Sequence, residues 1–224
     1  MEARLKTDFA AEPIPKILPV VPAIDVTVFP NMIMPLLVLD ERIIAGINQA
    51  CEQHNMILLL SAKTDDDGEV KEIDTDNLYS IGTVVTIMRM IKVPEGGVKI
   101  LIQGLCRAKV QQLQSEDGIL QAEIEEYPFI DEDEQEAKAI IKNIKEVSEQ
   151  LLVTTQAFSP DFHAILSKMS NPEKIAEFIL SHMELDSATS QDLLERPTIA
   201  SLLEGIYHEM NKEIANCKYI FYYW

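Results

Sequence analysis

The chain has 224 residues, of which 47% are hydrophobic, so it is long enough to bury one sizeable core or two smaller ones. Its 37 acidic and 19 basic side chains give a formal net charge of −18. A surface this acidic repels phosphate backbones, which argues against nucleic acid as a partner.

Residues 1–16 are predicted to form a disordered N-terminal arm. Its first twelve residues carry charges of both signs and no apolar stretch that could act as a signal peptide. The longest apolar runs, such as Met56–Leu60, are much shorter than the roughly 20 residues that a membrane span requires. We therefore expect a soluble, cytoplasmic protein with no membrane partner.

Residues 17–128 have the texture of a β-rich lobe, because short runs of Val, Ile, Thr and Met alternate with Pro, Gly, Asp and Asn. The hairpin signal around Val93–Gly97 is the clearest, since a proline and two glycines permit a tight reversal. The predicted strands are Ile17–Val21, Asp25–Val28, Met32–Leu39, Met56–Ser61, Gly82–Lys92, Val98–Val110 and Leu120–Tyr127.

One helix interrupts these strands. Asp40 is a suitable N-cap, and an apolar face with helical spacing follows it at Ile43, Ile44, Ile47 and Ala50/Cys51. The later stretch Thr64–Asp76 is strongly acidic and predicts an exposed, mobile loop.

Residues 129–217 are predicted to form a helical lobe, because the apolar period changes from 2 to 3.6 across the acidic run at 131–136. The pairs Ser159-Pro160 and Asn171-Pro172 each predict a helix start. A long helix follows Pro197. The predicted apolar faces are Ala137/Ile140/Ile141/Ile144/Val147/Leu151/Leu152, Phe162/Ile165/Leu166/Met169, Ile175/Phe178/Ile179/Met183 and Ile199/Leu202/Leu203/Ile206/Tyr207/Met210/Ile214.

Residues 218–224 form an apolar tail that ends in six consecutive large side chains. Such a sequence is unusual at an exposed end. Either the natural chain continues beyond it, or the tail folds back onto the helical bundle.

No familiar catalytic, nucleotide-binding or metal-binding motif occurs in the sequence. Phosphate-binding loops, serine or zinc hydrolase signatures and dinucleotide fingerprints are all missing. The three cysteines, Cys51, Cys106 and Cys217, show no CxxC spacing, and Glu204 with His208 alone cannot complete a metal site. We therefore predict no catalytic residue, no cofactor and no metal.

The segment Pro19–Met32, PVVPAIDVTVFPNM, resembles the start of the N-terminal domain of Lon ATP-dependent proteases. It departs from the usual family pattern at Ala23, Ile24 and Asn31. A second match begins at Leu78 and continues through Pro94–Ala108, PEGGVKILIQGLCRA. Two matches in the same order support the resemblance, which extends into the helical half and weakens after about Cys217.

The resemblance implies an α+β fold in which a PUA-like β-rich lobe of mixed strands with one helix precedes a helical bundle that ends in a long helix. It also implies a role in recognising unfolded, damaged or degron-bearing protein clients. The partners would be an ATPase and protease module on the same or another chain, and further copies of the domain, since intact family members are hexamers.

A client-binding surface must accept apolar side chains of varied shape, for which methionine is well suited. Four methionines lie on neighbouring predicted strands, close to the Val93–Gly97 hairpin. Alternation places Met88 and Met90 on one side of their strand, as core packing would also do. The predicted client-binding residues are Phe29, Pro30, Met32, Met34, Met88, Met90, Val93 and Pro94.

Two alternatives remain open from the sequence. The chain could be a stand-alone adaptor or receptor, because Lon-type N-domains also occur in ubiquitin-ligase substrate receptors. It could also be a hydrolase that uses dispersed acidic residues, although no motif favours that.

Overall fold

A computed structural model describes residues 13–63, 75–94, 96–130, 134–154 and 159–222, and the side chains of these residues except 75, 134, 153, 154, 160 and 216–222. The predicted N-terminal arm therefore lies largely outside the described residues, as does most of the predicted acidic loop. The first residues of the acidic run at 131–136 also lie outside them. The fold is α+β, as predicted.

Six strands form one mixed sheet in the order β2-β5-β4-β3-β1-β6, and β5 also pairs with β6. These pairings join β1, β3, β4, β5 and β6 into a closed ring, while β2 pairs only with the first part of β5. The strands are β1 (Ile17–Ala23), β2 (Ile33–Val38), β3 (Met56–Ser61), β4 (Ile81–Lys92), β5 (Val98–Glu116) and β6 (Ile119–Glu126).

The central strand β3 is buried along its whole length. Ile57 and Leu59 pack into one apolar cluster, and Leu58 and Leu60 pack into another. Burial on both faces explains why the run is continuously apolar rather than alternating.

Helix α1 (Glu41–Gln53) covers one cluster, and Asp40 caps it by accepting from the backbone N–H of Arg42 at 2.8 Å. Ile47 and Ala50 are fully buried, so the predicted helix and its apolar face are confirmed. The predicted hairpin is also confirmed, because Lys92 at the end of β4 pairs with Val98 at the start of β5. We call the six strands with α1 the β lobe.

Five further helices make up what we call the helical lobe. They are α2 (Glu134–Thr154), α3 (Pro160–Lys168), α4 (Pro172–Leu180), α5 (Ser187–Glu195) and α6 (Ile199–Tyr222). Asn171 caps α4 through the N–H of Lys174, as its sequence predicts. The backbone of α6 remains helical through Tyr222, so the predicted tail does not fold back between residues 218 and 222.

Two predictions from the sequence were wrong: one predicted strand does not form, and one helix was not predicted. Residues 25–28, predicted as a strand, are irregular: Asp25 has a φ of 55°, and side chains rather than a neighbouring strand bind the local carbonyls. Ser61 donates to the carbonyl of Val26, and Thr83 donates to that of Val28. Val28 is buried in the core, which explains an apolar residue at this position without a strand.

Helix α5 was not predicted. Its buried face includes Ser190 and Gln191 beside Leu193 and Leu194, so apolar periodicity is weak. The cap offered by Asp186, which accepts from the N–H of Thr189 at 2.8 Å, was the available signal. In α3 the predicted apolar position Ile165 is instead 47% exposed.

Candidate functional site

Exposed apolar side chains gather on one face of the sheet, where β2, β4 and β5 lie side by side. Ile33 and Leu37 of β2 are 55% and 60% exposed, and Ile91 of β4 is 48% exposed. Leu37 and Ile91 both pair with Lys99 of β5, so all three side chains point to the same side. We call this surface the outer face; it consists of Ile33, Leu37, Leu39, Met88 and Ile91, with Pro35 and Leu101 between them.

A β-bulge in β4 adds Met88 to the outer face. Ile87 pairs with Ile102, and Arg89 pairs with Leu101, so Met88 and Arg89 both lie opposite Leu101. Met88 is 51% exposed, whereas Met90 pairs with the buried Ile100 and packs against the core. The expectation that alternation places Met88 and Met90 on one side was wrong, because alternation assumes a regular strand.

The other predicted client-binding residues do not share one exposed surface with Met88. Phe29 is buried, and Met32 packs partly buried where two apolar clusters meet. Met34 pairs with Ile102 and packs against the core beside Met90. Pro30 and Val93 are half-buried, and Pro94 is exposed in the hairpin.

Sequence reasoning missed Ile33, Leu37, Leu39 and Ile91. The signal was present in β2, whose six residues IMPLLV are all apolar although only one face of the strand meets the core. An uninterrupted apolar run at the edge of a sheet predicts an exposed apolar surface, but the sequence alone cannot show that β2 is the edge strand.

The free side of β2 borders a groove that runs beside the end of β1. Its walls are apolar and include Val21, Ile24, Val26, Met34 and Leu36. The groove adjoins the outer face through Pro35 and Leu37, which contribute to both. Together they form an extended apolar surface on the β lobe.

The junction between the lobes is built very differently, around the buried side chain of Arg107. Its Nη1 donates to the carbonyls of Leu194 and Arg196 at 2.9 and 2.6 Å. The guanidinium lies 3.7 Å from the ring centroid of Phe129. Burial lowers the pKa of Arg107 to about 10, so the group stays charged at neutral pH and joins β5 to the end of α5.

A second contact across the junction joins Asn31 to Glu177 of α4. The Asn31 Nδ2 donates to Glu177 Oε1 at 2.7 Å. Partial burial raises the pKa of the Glu177 carboxyl, and the negative charge of Glu173 adds to that rise. Gln191 Nε2 also donates to the carbonyl of Ile81 at 2.9 Å, so polar groups as well as apolar packing join the lobes.

No group of three or more potential metal ligands occurs among the residues that the structure describes. Glu204 and His208 lie on α6 as the sequence suggests, one helical turn apart. In the same described ranges no helix is long and apolar enough to cross a bilayer. Burial raises the pKa of the Cys106 thiol to about 11, which leaves it protonated at neutral pH.

A protein-family model for the ATP-dependent protease La (Lon) substrate-binding domain matches residues 17–212. The Lon protease of Desulfovibrio desulfuricans is 31% identical over 209 residues, which are 92% of this chain and 23% of that protein. The Lon protease of Escherichia coli K12 is 32% identical over 200 residues, or 88% of this chain and 25% of that protein. The chain therefore spans about a quarter of the length of these relatives.

Solved structures show the same fold. The N-terminal domain of the Mycobacterium avium complex Lon protease superposes with a TM-score of 0.68 at 21% identity, covering 88% of this chain and 98% of that one. A Lon N-terminal domain protein from Xanthomonas campestris gives a TM-score of 0.55 at 16% identity, covering 84% and 95%. The matches in sequence and fold confirm the resemblance seen in the motifs, and the chain belongs to the Lon substrate-binding domain family.

Proposed function

We propose that this chain captures apolar segments of unfolded or degron-bearing proteins on its outer face and has no catalytic activity of its own. The observation that carries the proposal is the clustering of exposed Ile33, Leu37, Met88 and Ile91 on one sheet face of a Lon-type substrate-binding domain. Unfolded proteins differ from folded ones mainly in exposing apolar side chains. An exposed apolar surface can therefore distinguish the two.

Weak binding to one domain suits this role. Burying an apolar side chain contributes roughly 1.5–3 kcal/mol before ordering costs, so a few contacts give modest affinity and allow release. The partner would be an ATPase and protease module in the same or another chain, in the cytoplasm. In a hexameric ring, several such domains acting on one client could raise avidity by about 10²–10⁴ without new contacts.

The side chains of the outer face suit clients of varied shape. Met88 is flexible and polarisable, and Leu37 and Leu39 are unbranched at the β carbon, so the surface can adapt to different apolar groups. The neighbouring groove lengthens the surface along the free side of β2, which fits an extended chain rather than a compact ligand.

The test is a double substitution of Leu37→Asp with Met88→Asp. Binding of a reduced, alkylated model protein that cannot refold is measured by fluorescence anisotropy, with circular dichroism as the check on folding. Two carboxylates on the outer face should weaken binding by about tenfold or more. The matched control is Ile130→Asp with Ile165→Asp, which alters two similarly exposed apolar residues outside the β lobe.

The control variant should bind like the unmodified chain. If both double variants bind the unfolded protein as tightly as the unmodified chain does, the outer face is not the client-binding surface.

A further inference from the structure

The outer face differs in charge from the rest of the molecule. The chain carries a net charge of −18, yet β2 and β4 contain no carboxylate, and β5 contains none before its last residue, Glu116. In contrast, the short strand β6 contains Glu123, Glu125 and Glu126. Charge is therefore unevenly distributed among the strands of the sheet, because β6 carries three glutamates and the strands of the outer face carry none before Glu116.

The cations on these strands lie among the exposed apolar side chains. Arg89 pairs with Leu101, and Lys99 pairs with both Leu37 and Ile91, so both basic side chains point to the outer face. Arg89 and Lys99 are exposed. Asp40, which follows Leu39, forms an ion pair with Arg42 at 3.0 Å and leaves these two cations unneutralised by its charge.

We propose that the outer face selects client segments in which aliphatic side chains alternate with carboxylates. An extended segment presents alternate side chains to the surface and to either flank, so aliphatic groups can contact Leu37 and Ile91 while acidic groups reach Arg89 and Lys99. This inference rests on the proposed function and specifies the class of client that the same surface prefers.

The overall negative charge of −18 limits where an acidic client can bind. At long range the domain repels acidic segments, and salt screens that repulsion beyond about 10 Å at 0.1 M. A preference for acidic clients therefore has to come from short-range pairing at this one basic and apolar surface. Basic clients would be attracted to the acidic remainder of the chain instead.

The experiment compares three labelled peptides that share one alternating leucine pattern and carry Glu, Gln or Lys at the intervening positions. Binding to the full chain is measured by fluorescence anisotropy at about 0.1 M salt, which screens the long-range repulsion between the domain and the Glu peptide. We expect the Glu peptide to bind about 2- to 30-fold more tightly than the Gln peptide, the range that two exposed ion pairs provide. The Lys peptide should bind more weakly than the Gln peptide at the outer face.

Reversing the charges should reverse the order. Arg89→Glu with Lys99→Glu should favour the Lys peptide over the Glu peptide. Lys142→Glu with Lys168→Glu changes the net charge by the same amount on exposed positions of α2 and α3, and it should keep the original order. Should the reversed pair fail to fold, Arg89→Gln with Lys99→Gln should bind the Glu and Gln peptides equally.

Two results separate the inference from the proposed function. If the Glu and Gln peptides bind the unmodified chain equally, and Leu37→Asp with Met88→Asp weakens both, the charge preference is overturned and the apolar surface stands. If none of the three peptides binds, the proposed function itself fails.

Discussion

The two lobes treat their apolar side chains differently. Among the described residues, the β lobe leaves large apolar side chains exposed along β2, at Leu39 and along β4, whereas within the five helices of the helical lobe only Ile165 is exposed to a similar extent. The helical core also takes in Phe29 and Ile81 from the β lobe, so it extends under the sheet. We infer that the helical lobe braces the β lobe, whose outer face is then free to bind clients.

Shortening one leucine in each lobe should have very different effects on stability. Leu203 of α6 is fully buried, so Leu203→Ala should lower the free energy of unfolding by about 2–5 kcal/mol, as core Leu→Ala changes do. Leu37 is 60% exposed, and Leu37→Ala should change it by less than about 0.5 kcal/mol. Urea denaturation of both variants measures the difference, and similar losses would contradict the division of roles.

We expect the contact between the lobes to depend on Arg107. Arg107→Met leaves the carbonyls of Leu194 and Arg196 without their donor. We therefore expect the free energy of unfolding, measured by urea denaturation, to fall by about 2–4 kcal/mol. Lys109→Met, two residues along the same strand at an exposed position, is the matched control and should have little effect. If Arg107→Met lowers the free energy of unfolding no more than Lys109→Met does, the buried guanidinium does not hold the lobes together.

The hairpin beside the outer face tolerates no side chain at Gly97. This residue has a φ of 94°, and an added Cβ would lie 2.5 Å from the carbonyl oxygen of Val38. Gly97→Ala should therefore cost about 1–3 kcal/mol and loosen β2. Gly96 has a similar φ and open space around it, so Gly96→Ala isolates the cost of the backbone conformation alone. Hydrogen exchange of the β2 amides should increase more in Gly97→Ala, and equal exchange in the two variants would argue against the close approach.

The smallest effect concerns pH. Burial raises the pKa of Glu177 above its ordinary value of 4.5, so the folded state holds this proton more tightly than the unfolded chain does. Its stabilising contribution is present below pH 4.5 and is lost as the pH rises through the folded pKa. Because glutamine does not ionise, Glu177→Gln should remove this loss of stability at rising pH, and its side-chain oxygen can still accept from Asn31. Denaturation midpoints should fall less steeply with rising pH in the variant than in the unmodified chain. Parallel curves would show that the pKa of Glu177 is not raised in the folded state.

The sequence predicted elements whose cause is local. The cap at Asp40, the cap at Asn171 and the turn after Val93 depend on neighbouring residues, and all three lie where they were expected. The turn at Asp117-Gly118 carried an equally local signal, since Asp-Gly suits a two-residue hairpin. It was overlooked, and β5 was predicted six residues too short as a result.

Features that depend on distant parts of the chain could not be predicted. The bulge at Met88 and the exposure of Ile33 and Leu37 follow from how β2, β4 and β5 pair, which no local pattern records. Helix α5 buries the polar side chain of Gln191, whose Nε2 donates to the carbonyl of Ile81, 110 residues earlier in the chain. The sequence identified the methionines as candidates. It could not show which of them lie on the outer face and which pack against the core, because that depends on strand pairing.

Site-specific photo-crosslinking can show whether unfolded proteins contact the outer face. A photoreactive residue is placed at Leu37, at Met88 or at Ile165, and each variant is irradiated with the reduced, alkylated model protein. We expect crosslinks from positions 37 and 88 and few from 165. Crosslinking that is as strong from 165 as from 37 and 88 would contradict it.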